Sequence, residues 1–245
     1  MSRTQDVLAA TSEGALSEYL AEEIHRRILT GDIRVGSWLR QDTLAAEFNV
    51  SRTPVREAVR ALGGRGVLEI IPRRGALVIG STPRDIRENY EVRAELEGFA
   101  AELAAERIQT AQLTALRAAV DDFDGIVAAA AAPDAADRDG ELESRWTDAN
   151  ERFHATLLEA ADNAHLAASV RESRRRLPHN TTFAALSGSQ RQLTINAADH
   201  RAILEAIEAS DGEKARRLAR QHLLRAADLV TRRFERELEV QRRAR

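Results

Sequence analysis

Residues 44–68 read L-A-A-E-F-N-V-S-R-T-P-V-R-E-A-V-R-A-L-G-G-R-G-V-L. Leu44, Ala45 and Phe48 form the apolar side of a short helix, and Asn49-Val50 makes a tight turn. Ser51 and Thr53 are both suited to cap the helix that follows, and Pro54 is tolerated in its first turn. Val55, Ala58, Val59 and Leu62 then recur at i, i+3, i+4 and i+7, the signature of one buried helical face. At 100° per residue Arg56 and Arg60 project well off that face, and Thr53 and Glu57 point nearly opposite it. The glycines of G-G-R-G end the helix. Its exposed N-terminal half thus carries hydroxyls and guanidiniums. Hydroxyls and helix N-terminal amides suit phosphates, and arginine pairs bidentately with guanine in the major groove.

On the N-terminal side, Leu16, Leu20, Ile24 and Ile28, with Tyr19 beside them, predict a helix over 14–30, closed by T-G-D-I-R-V-G. On the C-terminal side the period changes. V-L-E-I-I and A-L-V-I flank P-R-R-G and predict a small antiparallel pair with an arginine-tipped turn. Three helices and a ribbon in about 70 residues outline a winged helix-turn-helix.

No strand is expected after Ile79. In S-T-P-R-D, Thr82 reads as an N-cap, Pro83 as the first helical residue and Asp85 as a first-turn acid, marking a domain boundary near 80–84. Beyond it helices are expected at about 83–108, 111–131, 141–161, 164–177, 192–209 and 213–240. The fold class is therefore mostly α. Residues 1–81 form a winged helix-turn-helix with a small β-ribbon wing, and residues 82–245 an all-α antiparallel helical bundle.

Composition agrees. Of 245 residues 43% are apolar but only 4% aromatic, and the absence of cysteine excludes disulfides and thiolate chemistry. No signal pattern or membrane-length apolar run is present, so a soluble cytoplasmic protein without membrane contact is expected. The net charge of −3 argues against a general nucleic-acid coat. Yet residues 49–75 hold Arg52, Arg56, Arg60, Arg65, Arg73 and Arg74 against only Glu57 and Glu69, a focused basic patch. Arg60 and Arg65 fit a solvated surface as well as a contact, and Glu57 is better suited to brace an arginine than to touch DNA.

Six histidines are present. His200 and His222 lie 11 residues before and 11 after Asp211 in the turn S-D-G. In a helical hairpin both then stand roughly 16 Å from the turn, at equal height. Ala202, Ala206, Ala209, Ala215 and Ala219 allow the helices to approach. His154 shares a helical face with Asn150, four residues earlier, and a third helix bearing this pair would complete a four-ligand metal cluster. His165 reads as surface or capping, and His179 has no spacing that assigns it a role.

The residues 44–68 quoted above, followed by P-R-R-G-A-L-V, resemble the DNA-binding domain of the GntR family of bacterial transcription regulators over about residues 15–80. By that resemblance Ser51, Arg52, Thr53 and Arg56 contact the operator, and Arg73, Arg74 and Gly75 form the wing. Three later stretches, E-V-R-A-E-L-E-G-F-A-A-E-L-A-A, N-E-R-F-H-A-T-L-L-E-A-A-D-N-A-H-L and D-H-R-A-I-L-E-A-I-E-A-S-D-G-E-K-A-R-R-L-A-R-Q-H-L, are similar to the FCD ligand-binding domain of the FadR subfamily, over about residues 84–235. The resemblance implies a divalent metal, zinc before nickel or manganese, held by Asn150, His154, His200 and His222. It also implies a small carboxylate effector, with Arg93 as the effector-binding arginine. An i, i+4 salt bridge with Glu97 is the alternative for Arg93. Asn150 departs from the aspartate usual in the family, which leaves the site one charge short.

The function expected is a sequence-specific DNA-binding regulator. It would be a homodimer on a pseudo-palindromic operator of double-stranded DNA, and a repressor released by a carboxylate bound at the metal. Two other readings stand beside it: a purely structural metal or none, with no effector, and a metal-dependent hydrolase, for which the sequence offers no obvious glutamate base beside the ligands. Three retained histidines favour the small-acid branch of the subfamily over the metal-free acyl-CoA branch.

Overall fold

The computed structural model describes residues 13–29, 32–34, 36–72, 74–79, 82–132, 139–174 and 181–243. The chain divides into two compact units, Met1–Pro83 with Phe234–Arg245, and Arg84–Arg233.

The first unit contains α1 (Glu13–Leu29), β1 (Trp38–Leu39), α2 (Gln41–Phe48), α3 (Arg52–Gly64), β2 (Leu68–Ile71) and β3 (Gly75–Val78). Its core is the set of stripes that the periodicity marks: Leu20, Ile24 and Ile28 of α1, Leu44 and Phe48 of α2, and Val55, Ala58, Val59 and Leu62 of α3. A fully buried leucine or isoleucine contributes roughly 1.5–3 kcal/mol of transfer free energy. Between α2 and α3, Asn49 adopts the left-handed conformation (φ 53°), which asparagine tolerates better than most residues. Ser51, not Thr53, takes the N-cap position of α3, and its side chain makes no capping hydrogen bond.

The sheet is antiparallel with order β1-β3-β2, pairing Leu68 with Val78 and Ile71 with Gly75. β1 was not expected. It has two residues, too few to show a period, and exists because Trp38 pairs with Leu77 and Leu39 with Ala76. Gly75 is required here on two counts: its φ is +112°, and a Cβ would stand 2.8 Å from the Leu39 carbonyl oxygen. The wing glycine therefore serves the sheet itself.

The second unit is a helical bundle of α4 (Pro83–Arg107), α5 (Thr110–Ala130), α6 (Asp139–Ala160), α7 (Ala164–Arg174), α8 (Thr181–Leu186), α9 (Gln190–Glu208) and the greater part of α10 (Gly212–Arg243). The expected bounds hold to within a few residues, except that the end of the helix expected at 164–177 lies outside the described residues. The six-residue α8 is additional, too short to show a helical period. Leu116, Val120 and Phe123 of α5, Trp146, Phe153 and Leu157 of α6, Phe183 of α8 and Ile203 and Ile207 of α9 share one core. Glycines set the spacing of α4 and α10. A Cβ on Gly98 would stand 3.2 Å from the Arg216 carbonyl oxygen, and one on Gly212 would stand 3.1 Å from that of Glu102. These two contacts run in opposite chain directions, so the helices are antiparallel. Among the described residues no helix is long and apolar enough to cross a membrane.

Candidate metal centre and nucleic-acid interface

His154 on α6, His200 on α9 and His222 on α10 converge in the buried interior of the second unit, each offering a ligand nitrogen within 4.8 Å of the others. The His200 and His222 ring centroids are 4.4 Å apart, and His154 is 5.7 Å from each. Equal distance from the Ser210–Gly212 turn places the first two at one level. α6, packed against the same core, supplies the third.

On two of the three rings the far nitrogen is occupied in a way that fixes the ring. His200 Nδ1 lies 2.8 Å from the Asn196 carbonyl oxygen. A carbonyl only accepts, so the His200 proton is on Nδ1 and Nε2 keeps its lone pair. That Nε2 is buried and has no hydrogen-bond partner among the described residues. Phe123 stacks on the same ring at 4.1 Å, and Phe153 meets it edge-on at 4.7 Å. His154 Nδ1 lies 2.8 Å from Glu97 Oε2. His222 Nδ1 is 3.5 Å from Asp199 Oδ2, with no hydrogen bond made.

Burial pushes the His154 imidazole down to about 4 although the Glu97 carboxylate opposes the shift. Burial, with His222 and His154 adding to it, holds His200 well below the ordinary histidine value. Burial would raise the Glu97 carboxyl, but Arg174, Arg93 and His154 together outweigh it and hold it well below the usual carboxylate range. A neutral imidazole with a bare, buried lone pair, as His200 offers at Nε2, is a donor that a borderline divalent metal takes. The residues present therefore fit such an ion.

Asn150 lies one turn before His154 on α6 and is half-buried. Arg93 makes the i, i+4 pair with Glu97, Nε to Oε1 at 3.1 Å, and its guanidinium lies over the Tyr90 ring at 4.7 Å. Glu97 and Arg174 were not anticipated as site residues. The Glu97 carboxylate, 4% exposed, is shared by Arg93, His154 and Arg174, the last at 2.8 Å. A signal existed: Glu97 falls on the buried stripe Ile86, Tyr90, Ala94, Ala101 and Ala104 of α4, where a charge is costly unless paired. Arg174 carried none, since its partner is 77 residues away. One carboxylate against two guanidiniums leaves this group with a formal charge of +1. His165 is exposed, and His179 lies outside the described residues.

In the first unit Ser51, Arg52, Thr53 and Arg56 are all exposed at the start of α3. Arg52 pairs with Asp42 at 2.5 Å, both widely exposed. Glu57 braces Arg56 and Arg60 at 3.5 and 3.3 Å. Arg74 lies over the Trp38 ring at 4.8 Å, and Arg73 lies outside the described residues. Arg65 is neither solvated surface nor exposed contact. Its side chain is 7% exposed and ties the end of α3 to Glu18 and Glu22 of α1 at 2.5 and 2.6 Å. The basic patch is thus smaller than the sequence count implies.

Comparison with known proteins follows the same division. Residues 88–225 match the family model of the FCD domain, and residues 16–78 that of the bacterial regulatory proteins, gntR family. The uncharacterized HTH-type transcriptional regulator YdhC of Bacillus subtilis (strain 168) is 28% identical over 202 residues, 82% of this chain and 83% of that one. The probable D-xylose utilization operon transcriptional repressor of Paenarthrobacter nicotinovorans is 29% identical over 202 residues, 80% of each chain. The structure described as E. coli McbR/YncC superposes with a TM-score of 0.64 at 19% identity, covering 88% of this chain and 96% of that one, a likeness of fold. With the FCD domain over more than half of its length and a gntR-type winged helix-turn-helix ahead of it, the chain belongs to the FCD-domain family and is a DNA-binding transcriptional regulator.

Proposed function

We propose that this regulator holds one divalent metal, most favourably zinc, on His154, His200 and His222, with Asn150 as a neutral fourth donor, and that a small carboxylate completes the site. The observation that carries this reading is the convergence of three buried imidazole nitrogens within 4.8 Å. A bound metal would supply a Lewis-acidic position for one carboxylate oxygen. The chain's own part is recognition by charge: Arg93 and Arg174 outnumber Glu97, so an anion entering this polar interior is favoured. Ser51, Arg52, Thr53, Arg56, Arg73, Arg74 and Gly75 present the reading head to operator DNA. Two heads in a homodimer, acting in the cytoplasm, would span a pseudo-palindrome. The effector would relieve repression, in which case DNA weakens effector binding by the same factor, and the name of the Paenarthrobacter relative supports the repressor sense.

A thermal-shift screen of small carboxylates, with and without a chelator, tests this. The expected result is a carboxylate-dependent rise in Tm that the chelator abolishes, with metal analysis of natively purified protein giving about one ion per chain. Protein free of metal would overturn it. A second reading is a structural metal without effector, favoured by how completely the three rings are buried, at 4%, 0% and 3% exposure. It predicts a chelator-induced loss of Tm and no carboxylate response.

A further inference from the structure

We infer that Glu97 is the positioning residue of the candidate metal centre: it dictates the tautomer of His154, so that only Nε2 of that ring can ligate. The inference rests on the metal reading proposed above and assigns a role to a residue that is not itself a ligand.

The geometry is specific. Glu97 Oε2 lies 2.8 Å from His154 Nδ1 and 2.8 Å from a terminal nitrogen of Arg174. Glu97 Oε1 accepts from Arg93 Nε at 3.1 Å. A carboxylate only accepts, so the His154 nitrogen facing it carries the proton and the lone pair is left on Nε2. His200 reaches the same tautomer by another route, its Nδ1 donating to the Asn196 carbonyl at 2.8 Å. Two of the three rings are thus set by hydrogen bonds on their far side to offer Nε2, which removes the cost of reorienting them when a metal binds. Arg93 and Arg174 hold the Glu97 carboxylate from two directions, so the acceptor cannot turn away from His154 without leaving both guanidiniums unpaired. The position carries charge on an otherwise apolar stripe, which stability alone would not select: apolar side chains of similar volume are often as stable as a buried ion pair.

An amide at this position is a different object. The glutamine of Glu97→Gln offers an acceptor oxygen and a donor nitrogen, so it can bond either tautomer of His154 and dictates neither. The test uses zinc alone, titrated into the full-length chain in competition with a chromophoric chelator. The tautomer of His154 is read from long-range nitrogen–proton correlations of the metal-free protein. The expected result is an Nδ1–H tautomer in wild type, and a zinc affinity in Glu97→Gln lower by about 10- to 100-fold, with the metal-free variant still folded by circular dichroism. An Nε2–H tautomer in wild type, or a folded Glu97→Gln within threefold of wild-type affinity, overturns the inference. If the variant does not fold, the wild-type tautomer alone decides. Wild-type protein that takes up no zinc would overturn the metal reading and this inference with it. The metal-free tautomer separates that failure from a failure of Glu97 alone.

Discussion

The imidazole of His200 lies 4.1 Å from the Phe123 ring and within 25° of parallel to it, while its Nδ1 bonds the Asn196 carbonyl one turn back. The ring is held on its face and on its edge, and the remaining nitrogen faces the other two histidines.

Replacing that ring tests the division of labour between the two units. His200→Ala is expected to lower metal affinity at least tenfold and to abolish any carboxylate-dependent thermal shift, while operator affinity in a mobility-shift assay stays near wild type. Loss of operator binding as well would show that His200 sustains the fold rather than the response.

Asn150→Asp adds one negative charge one turn before His154. If Asn150 is a ligand, zinc affinity should rise by about tenfold, an anionic donor being worth a few kcal/mol at most after its own desolvation. An unchanged or weaker affinity in the same chelator competition would remove Asn150 from the ligand set.

Arg52 and Arg65 belong to one basic patch in the sequence but differ in environment. Arg52 is 70% exposed beside an equally exposed Asp42, and Arg65 is 7% exposed between two glutamates of α1. Arg52→Ala should cut operator affinity by about 1–3 kcal/mol if it reads a base, or reduce the salt slope by about one if it meets a phosphate. Arg65→Ala should instead lower the unfolding midpoint of the first unit and leave the salt slope unchanged. A steeply altered slope in Arg65→Ala would contradict the assignment.

His25 makes the first unit acid-sensitive. It is 0% exposed, neither ring nitrogen has a hydrogen-bond partner among the described residues, and burial, with the Arg65 charge, pushes it down to about 3. The folded value lies below the unfolded one of about 6.5. Stability is therefore complete above that pH and is lost as pH falls from it toward about 3. Between pH 7 and 5 the loss is about 2 kcal/mol. Hydrogen exchange of α1 and α3 amides at pH 7 and 5 measures it, and His25→Leu should remove most of the difference. An equal pH dependence in the variant would place the acid sensitivity elsewhere.

Local periodicity and turn chemistry are properties of neighbouring residues, and they were legible directly. The stripe Val55–Leu62, the ribbon on either side of Arg74 and the long helices of the bundle follow from spacings of two, three and four. The facing of His200 and His222 was legible too, because a hairpin maps sequence distance from Asp211 onto height. β1 and α8 were not, being too short to carry a period. They exist because Leu77 and the apolar bundle core offer partners.

The sequence by itself determined the two modules, their helices and the facing of His200 and His222, since each rests on spacings within a few residues or across one turn. Only the tertiary structure decided that Arg174 and His154 join Arg93 on Glu97, and that Arg65 faces α1. Arg174 lies 77 residues from Glu97, and the partners of Arg65 lie 43 and 47 residues from it. A buried charge is tolerated only beside its counter-charge, and which counter-charge it meets depends on how distant helices pack, a matter that no local pattern encodes.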